Sequence, residues 1–384
     1  MNKKIRVLNI SKPYVAAAYR QKFRFLAEDP RFEIGLITPK NWAGQDFEDL
    51  PGESYWLRTL GIAFNGKNHF HFYQGLREAI REFAPDIVNI EEEHYSFVTF
   101  QVMREARKIG ARCIFHTWQN IDKNYPPPFA WMEAYVLKNC AYAVTGNQEA
   151  LDILRRKGFA GPAAVIPQMG ADAEAITKAQ QGRERHRQEI RDRLKIPMDA
   201  LLLMFAGRFV EEKGIQDGLD AVAMLKAEGR NVHFMMLGGG PFEAELRAKA
   251  KALAIEDLIH WIGSVPSLHI YPYFAVADVL LLSSHTRSNW KEQFGRVLVE
   301  AMLSGCVPIG SNSGEIPHVI GPAGLVHQEA DPRDLARCIL SLDQDRALLF
   351  RLGLIGKDRV SENYTNRVIA EKYAAIFLEV AKKP

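Results

Sequence analysis

Two carboxylates, Glu292 and Glu300, stand eight residues apart around what reads as the start of a helix. Phe294, Val297, Leu298, Ala301 and Met302 recur at helical spacing, which predicts a helix beginning near Gly295 with Glu292 on the loop before it. One acid can then face a ligand beside the helix end. The free N–H groups and positive dipole end of that helix suit an anion such as a diphosphate, and carboxylates suit hydroxyl donors such as a sugar or a ribose. Arg208 and Lys213 supply complementary charge. They sit in Gly207-Arg208-Phe209-Val210-Glu211-Glu212-Lys213-Gly214, between the strand-like LLLMFAG and the helical IQDGLDAVAML. That is a strand-to-helix loop, on the edge where α/β sheets bind ligands. Two cations there would hold a diphosphate and stabilise a departing nucleoside diphosphate more than its ground state. The two segments together read as a nucleotide-sugar site. The plain alternatives are an amphipathic helix with solvated acids and a charged surface loop.

The elements that must position these residues follow a βα rhythm. IRVLNI, EIGLIT, DIVNI and RCIFH read as strands, and helical patterns are expected near residues 19–27, 74–83 and 98–108. The rhythm resumes with AAVIP, LLLMFAG, HFMMLG, LIHWIG, DVLLLS and VPIGS, which predicts two doubly wound α/β halves with parallel sheets. The boundary is placed at 169/170. Residues 1–169 form the first Rossmann-like domain, 170–196 a linker, 197–364 the second domain, and 365–384 a terminal helix. The linker is polar, with seven basic residues against three acidic ones over 178–195. It reads as a solvated helix packing Ile190 and Leu194, with contact to phosphate or membrane lipid as the alternative.

Composition sets the outer bounds. At 384 residues the chain is long enough for two cores. Its 25% charged and 47% hydrophobic residues are ordinary for a globular protein, and a net charge of +3 does not call for nucleic acid. Cys113, Cys140, Cys306 and Cys338 are widely separated, without metal-ligand spacing, which fits a reduced, cytoplasmic setting. MNKKIRVLNIS lacks a signal-peptide core, and no apolar run reaches membrane-span length. Walker, Gly-x-Ser-x-Gly and His-Glu-x-x-His patterns are absent. Asp343-Gln344-Asp345 lies in a helical stretch away from any strand end, and chance accounts for it better than a metal site.

The segment EQFGRVLVEAM resembles the Glu-x7-Glu signature of family 4 retaining glycosyltransferases, of the GT-B superfamily. Gly207 to Gly214 resembles the diphosphate loop of the same family. The resemblance implies a GT-B fold, two Rossmann-like domains facing a central cleft, with the terminal helix crossing back to the first. It implies a retaining, metal-independent transfer of a sugar from a nucleoside-diphosphate sugar to an acceptor hydroxyl, in glycan, glycolipid or glycoconjugate biosynthesis. No cofactor is required. Glu292 would bind donor-sugar hydroxyls and Glu300 the ribose, with Gln293, Phe294 and Gly295 giving backbone contacts. Arg208 and Lys213 would neutralise the leaving group. By the same resemblance, Gly239 in Gly238-Gly239-Gly240-Pro241 lies by the nucleotide, and Val265 in the segment ending Ser264-Val265-Pro266 passes the base. Ser311-Asn312-Ser313-Gly314-Glu315-Ile316-Pro317 is read as mainly structural.

His116 ends the strand RCIFH and would contact the donor sugar or an acceptor group, a packed structural histidine being the competing reading. Trp118-Gln119-Asn120 replaces the His-Asp or His-Gly more common there, so Trp118 becomes an acceptor candidate. After IRVLNI the family often has a Gly-Gly pair, where this chain has Ser11-Lys12-Pro13-Tyr14, and Lys12 and Tyr19 become acceptor candidates. Glu91-Glu92-Glu93 reads equally as acceptor binding or a solvated loop. Residues 67–72 (KNHFHF) read as a packed loop, with a lipid-linked acceptor as the alternative. The expected partners are a nucleotide sugar and an unidentified hydroxyl acceptor, with peripheral contact at the inner membrane surface left open. The competing functions are a nucleotide-sugar hydrolase or epimerase and an idle nucleotide-sugar-binding subunit.

Overall fold

The computed structural model describes residues 3–266 and 269–382. The chain divides into two units, one of residues 1–170 with 366–384 and one of residues 171–365.

Unit 1 is built on a parallel sheet of β1 (Ile5–Ile10), β2 (Phe32–Pro39), β3 (Trp56–Leu60), β4 (Ile87–Ile90), β5 (Arg112–Thr117), β6 (Tyr142–Thr145) and β7 (Ala163–Val165). Its order is β7-β6-β5-β4-β1-β2-β3. β1 is an inner strand, with Val7 level with Ile34 on one side and Ile87 on the other. Val7, Leu8 and Ile10 are fully buried, as continuous apolar strands covered on both faces should be. Order reverses between β1 and β4, the position at which doubly wound sheets open a crevice beyond the strand ends. The sequence reading lacked β3 and β6. WLRTL is only half-buried and YAVT spans just four residues, too short for a periodic signal.

The terminal helix, Asn366–Lys382, packs in unit 1. Its Ile369, Tyr373, Phe377 and Val380 share a core with Val7, Phe23, Ile34 and Ile114. Burying such side chains is worth about 1.5–3 kcal/mol each, which explains why the chain end returns to this unit.

Unit 2 repeats the plan with β8 (Leu201–Ala206), β9 (Val232–Leu237), β10 (Ile259–Gly263), β11 (Val279–Leu282), β12 (Val307–Ser311) and β13 (Leu325–His327), in the order β10-β9-β8-β11-β12-β13. Leu203 pairs with Phe234 and Val279, so the reversal falls between β8 and β11.

Residues 170–196, expected as a linker, instead form helices Ala173–Gln181 and Arg183–Leu194 within unit 2. Asp172 caps the first by accepting from Ala175 N–H at 3.0 Å. The second is not a purely solvated helix, because Arg191 is fully buried and pairs with Asp278 at 3.3 Å. Composition alone hides that device, since Arg191 buries its stem while satisfying its charge. Asp343 and Asp345 have structural uses: Asp343 pairs with Arg346, and Asp345 caps helix Arg346–Asn363 through Leu348 N–H at 2.8 Å. Among the described residues no helix is long and apolar enough to cross a membrane.

Candidate functional site

A cavity of about 390 Å³ opens at the carboxyl edge of the unit 2 sheet, lined by residues that follow β8, β9 and β10 and by the first turns of helix Arg296–Leu303. Gly207, Arg208, Gly239, Val265 and Glu300, all expected at a donor site, line it together. Local backbone chemistry explains the gathering. Gly238 has φ +131°, and a Cβ there would stand 1.9 Å from the Gly207 carbonyl oxygen. Only glycine lets the loops after β8 and β9 meet this closely. Gly295 takes φ 72° at the N-cap of helix Arg296–Leu303, turning the chain so that the free N–H end follows the loop of Glu292.

Glu300 is buried, and burial raises its carboxyl pKa while Arg296 at 3.4 Å opposes the rise. Arg296 also lines the cavity. The sequence reading gave Arg296 no role, although its i,i+4 spacing to Glu300 was the available signal. Gly238, Ser264 and Ile270 are further lining residues it left without a firm role. Arg208 is exposed and forms no ion pair among the described residues.

Glu292 and Lys213 form a second cluster outside the lining of that cavity. Lys213 Nζ donates to Glu292 Oε2 at 2.7 Å, and Ser284 Oγ donates to the same oxygen at 3.1 Å. Lys213 Nζ also lies 5.0 Å from the centre of the Trp290 ring. Two glycines hold the cluster. Gly214, φ +63°, sits where a Cβ would be 1.7 Å from the Ser283 carbonyl oxygen, and Gly314 where one would be 2.2 Å from that of Glu292. Glu315 N–H donates to the Glu292 carbonyl at 3.1 Å, so the loop after β12 braces the acid. Phe294 is buried and packs 5.7 Å from Tyr364, centre to centre, while Gln293 is exposed. Beside the cluster, Asp217 accepts from His285 Nε2 at 2.6 Å and raises its pKa. Neither residue carried a sequence signal.

In unit 1 the candidates meet protein groups. His116 is buried, and its Nε2 donates to the Ile166 carbonyl at 3.2 Å. Burial lowers its pKa to about 3, so it is a neutral, packed imidazole whose Nε2 is committed to the protein backbone. The folded state declines a proton that the unfolded chain accepts near pH 6.5. Stability contributed by neutral His116 is therefore full above about pH 6.5 and is lost as pH falls toward 3. Replacement His116→Gln should flatten that acid limb in denaturation midpoints measured from pH 7 down to about 4. Identical slopes for the two proteins would remove the assignment.

Trp118 donates its indole N–H to Gln168 Oε1 at 3.2 Å, and its ring fills the place of a Cβ at Gly146. Lys12 bonds to Glu92 and lies 5.3 Å from the Trp42 ring centre. Tyr19 is half-buried. The solvated-loop reading of Glu91-Glu92-Glu93 is corrected: Glu91 and Glu92 are buried, and Glu93 accepts from Thr117 and from Trp118 N–H. Burial by itself raises Glu92, but Lys12 and His71 beside it bring its pKa down to about 2. In residues 67–72, His71 is buried and Phe70 exposed.

Residues 186–359 match the family model described as glycosyl transferases group 1. Curated relatives include the amylovoran biosynthesis glycosyltransferase AmsK of Erwinia amylovora, 28% identical over 56% of this chain and 53% of that protein. The N-acetyl-alpha-D-glucosaminyl L-malate synthase of Bacillus anthracis is 29% identical over 47% of this chain and 46% of its own. The chain thus spans about half the length of the curated relatives it matches. Solved structures are similar over nearly the whole chain. A glycosyltransferase from Rickettsia africae superposes with TM-score 0.77 at 16% identity, covering 100% of both chains. HepE from Anabaena, solved with UDP, gives 0.73 at 16%, covering 98% of this chain and 100% of its own. At those identities the likeness shows the fold, which is GT-B.

Proposed function

We propose that this chain, whose residues 186–359 match the glycosyl transferases group 1 model, is a retaining glycosyltransferase that moves a sugar from a nucleoside-diphosphate sugar to an acceptor hydroxyl. The observation that carries the proposal is the cavity where Arg208, Arg296 and Glu300 converge beside the close-packed glycine turns at Gly207 and Gly238. Glycine backbone admits a diphosphate, guanidinium groups match its oxygens, and a buried carboxylate accepts paired hydroxyls. In the reaction the bond from the anomeric carbon to the diphosphate oxygen breaks, the acceptor oxygen ends bonded to that carbon on the same face, and the acceptor's proton passes to the released diphosphate or to water. Arg208, Lys213 and the N-terminus of helix Arg296–Leu303 meet the charge gathering on the diphosphate, so the scheme needs no metal. Glu292 takes donor-sugar hydroxyls once the sugar reaches the Lys213 cluster. Acceptor binding is assigned to unit 1. The roles of relatives in amylovoran and colanic acid biosynthesis support a place in polysaccharide or glycoconjugate assembly.

HepE is described in complex with UDP and with UDP-glucose, which makes UDP-sugars the first donors to test beside GDP-, ADP- and dTDP-sugars. Ligand bound to the native state raises its stability, so one class should give a thermal shift. Loss of a charge-assisted hydrogen bond costs about 1.5–3 kcal/mol, and Glu300→Ala should therefore weaken that donor by roughly tenfold or more in calorimetry. Unchanged affinity would remove Glu300 from the ribose role.

A further inference from the structure

A second cavity, of about 130 Å³, lies at the amino edge of the unit 2 sheet, opposite the edge that carries the donor site. Asp278 and Gly305, which line it, precede β11 and β12. Arg183, Lys357 and Arg346, the last also paired with Asp343 at 3.0 Å, converge on it from two helices. Asp278 is the one acidic side chain in its lining, and its carboxylate is committed to Arg191 at 3.3 Å and to Leu202 N–H at 2.8 Å. Arg183 Nε is shielded from solvent and without a hydrogen-bond partner. Lys357 lies across Gly305, where a Cβ would meet its Cε at 2.7 Å, and makes no ion pair among the described residues. The cavity is therefore a cationic pocket, an arrangement that a phosphate group neutralises.

At its mouth, Phe350 and Leu354, one helical turn apart, are 70% and 47% exposed. A free anion has no use for two bare apolar side chains. Apolar groups ringed by Arg and Lys match a bilayer, whose headgroup phosphates meet the cations while the apolar side chains enter the interface.

We propose that this edge of unit 2 docks the protein on an anionic phospholipid surface, with a headgroup phosphate in the pocket of Arg183, Arg346 and Lys357 and with Phe350 and Leu354 inserted beside it. The surface is independent of the donor site and stands whether or not the transferase reading does.

The test is co-sedimentation of the full chain with vesicles of phosphatidylcholine alone and of phosphatidylcholine with phosphatidylglycerol. Binding is expected only to the mixed vesicles and should weaken with salt. Each cation near such a surface contributes about fivefold to partitioning, so Lys357→Gln should lower it about fivefold and Arg183→Gln with Lys357→Gln by roughly twenty-five-fold. The exposed pair Phe350→Ser with Leu354→Ser should also release the protein while leaving its melting temperature and UDP-sugar binding unchanged. Equal binding of the variants and wild type, or no binding to either vesicle, would overturn the proposal. So would thermal stabilisation by inorganic phosphate that Arg183→Gln with Lys357→Gln abolishes, without vesicle binding, which would make the pocket a soluble-anion site, or a dimer dissolved by the Phe350/Leu354 substitutions, which would make it a contact between copies.

Discussion

Arg208→Ala should lower turnover at saturating donor by about 10²–10³-fold, the usual effect of deleting one preorganised donor aimed at developing charge. Arg208 lines the donor cavity and is exposed, with its guanidinium uncommitted among the described residues. Lys213, in contrast, shares its charge with Glu292 at 2.7 Å. Charge on a diphosphate leaving group increases as its bond to the sugar breaks, so an unpaired cation beside it favours the transition state over the ground state. The loss then falls on kcat more than on KM. An exposed side chain also leaves the core unchanged on truncation, and the melting temperature should hold. Steady-state kinetics over a donor titration decide the matter: wild-type kcat at saturation, or a defect confined to KM, would take the leaving-group role away from Arg208.

The largest stability effect is expected in the core of unit 1. Lys22→Ala should destabilise the protein by about 3–5 kcal/mol, since breaking a fully buried pair strands the other charge. Lys22 Nζ sits 2.6 Å from Glu91 Oε2 and 2.7 Å from the Gln168 carbonyl, and lies 4.6 Å from the centre of the Tyr373 ring. Both partners of the pair are fully shielded from solvent. Burial lowers the Lys22 pKa, with Glu91 opposing the shift, so the ammonium depends on that carboxylate. Glu91 in turn accepts from Tyr14 and from Asn89 at 2.9 Å, and the network anchors the strand end, the Ser11–Tyr14 loop and the terminal helix together. Lys22→Met combined with Glu91→Gln should recover much of the loss, because neither charge is left alone. Denaturant midpoints for both singles and the double form the measurement. A Lys22→Ala protein as stable as wild type would show that the pair contributes nothing net.

The network also shows where reading the chain in one dimension stops. Glu91-Glu92-Glu93 looked equally like a solvated loop or an acceptor site, because three adjacent acids carry no local mark of burial. Their partners Lys22, Lys12 and Thr117 lie 69, 80 and 24 residues away. His116 kept two readings for the same reason: a histidine at a strand end looks like a ligand contact, and the carbonyl that holds its Nε2 is 50 residues away.

The sequence alone placed several candidates on one edge of unit 2. Gly207, Arg208, Gly239 and Val265 each follow a legible strand and Glu300 lies on the helix that opens at Gly295, and in a parallel α/β sheet such junctions fall on one edge; the roles expected of them toward a donor came from the family resemblance. Tertiary structure decided what lies between distant segments: the strand order in each sheet, the membership of residues 173–194 in unit 2, the pairing of Lys213 with Glu292, and the convergence of Arg183, Arg346 and Lys357. Periodicity reports only whether a side chain faces a core or solvent. Which charge it meets there depends on strand order and helix docking, and those are set by non-local burial that no local pattern encodes.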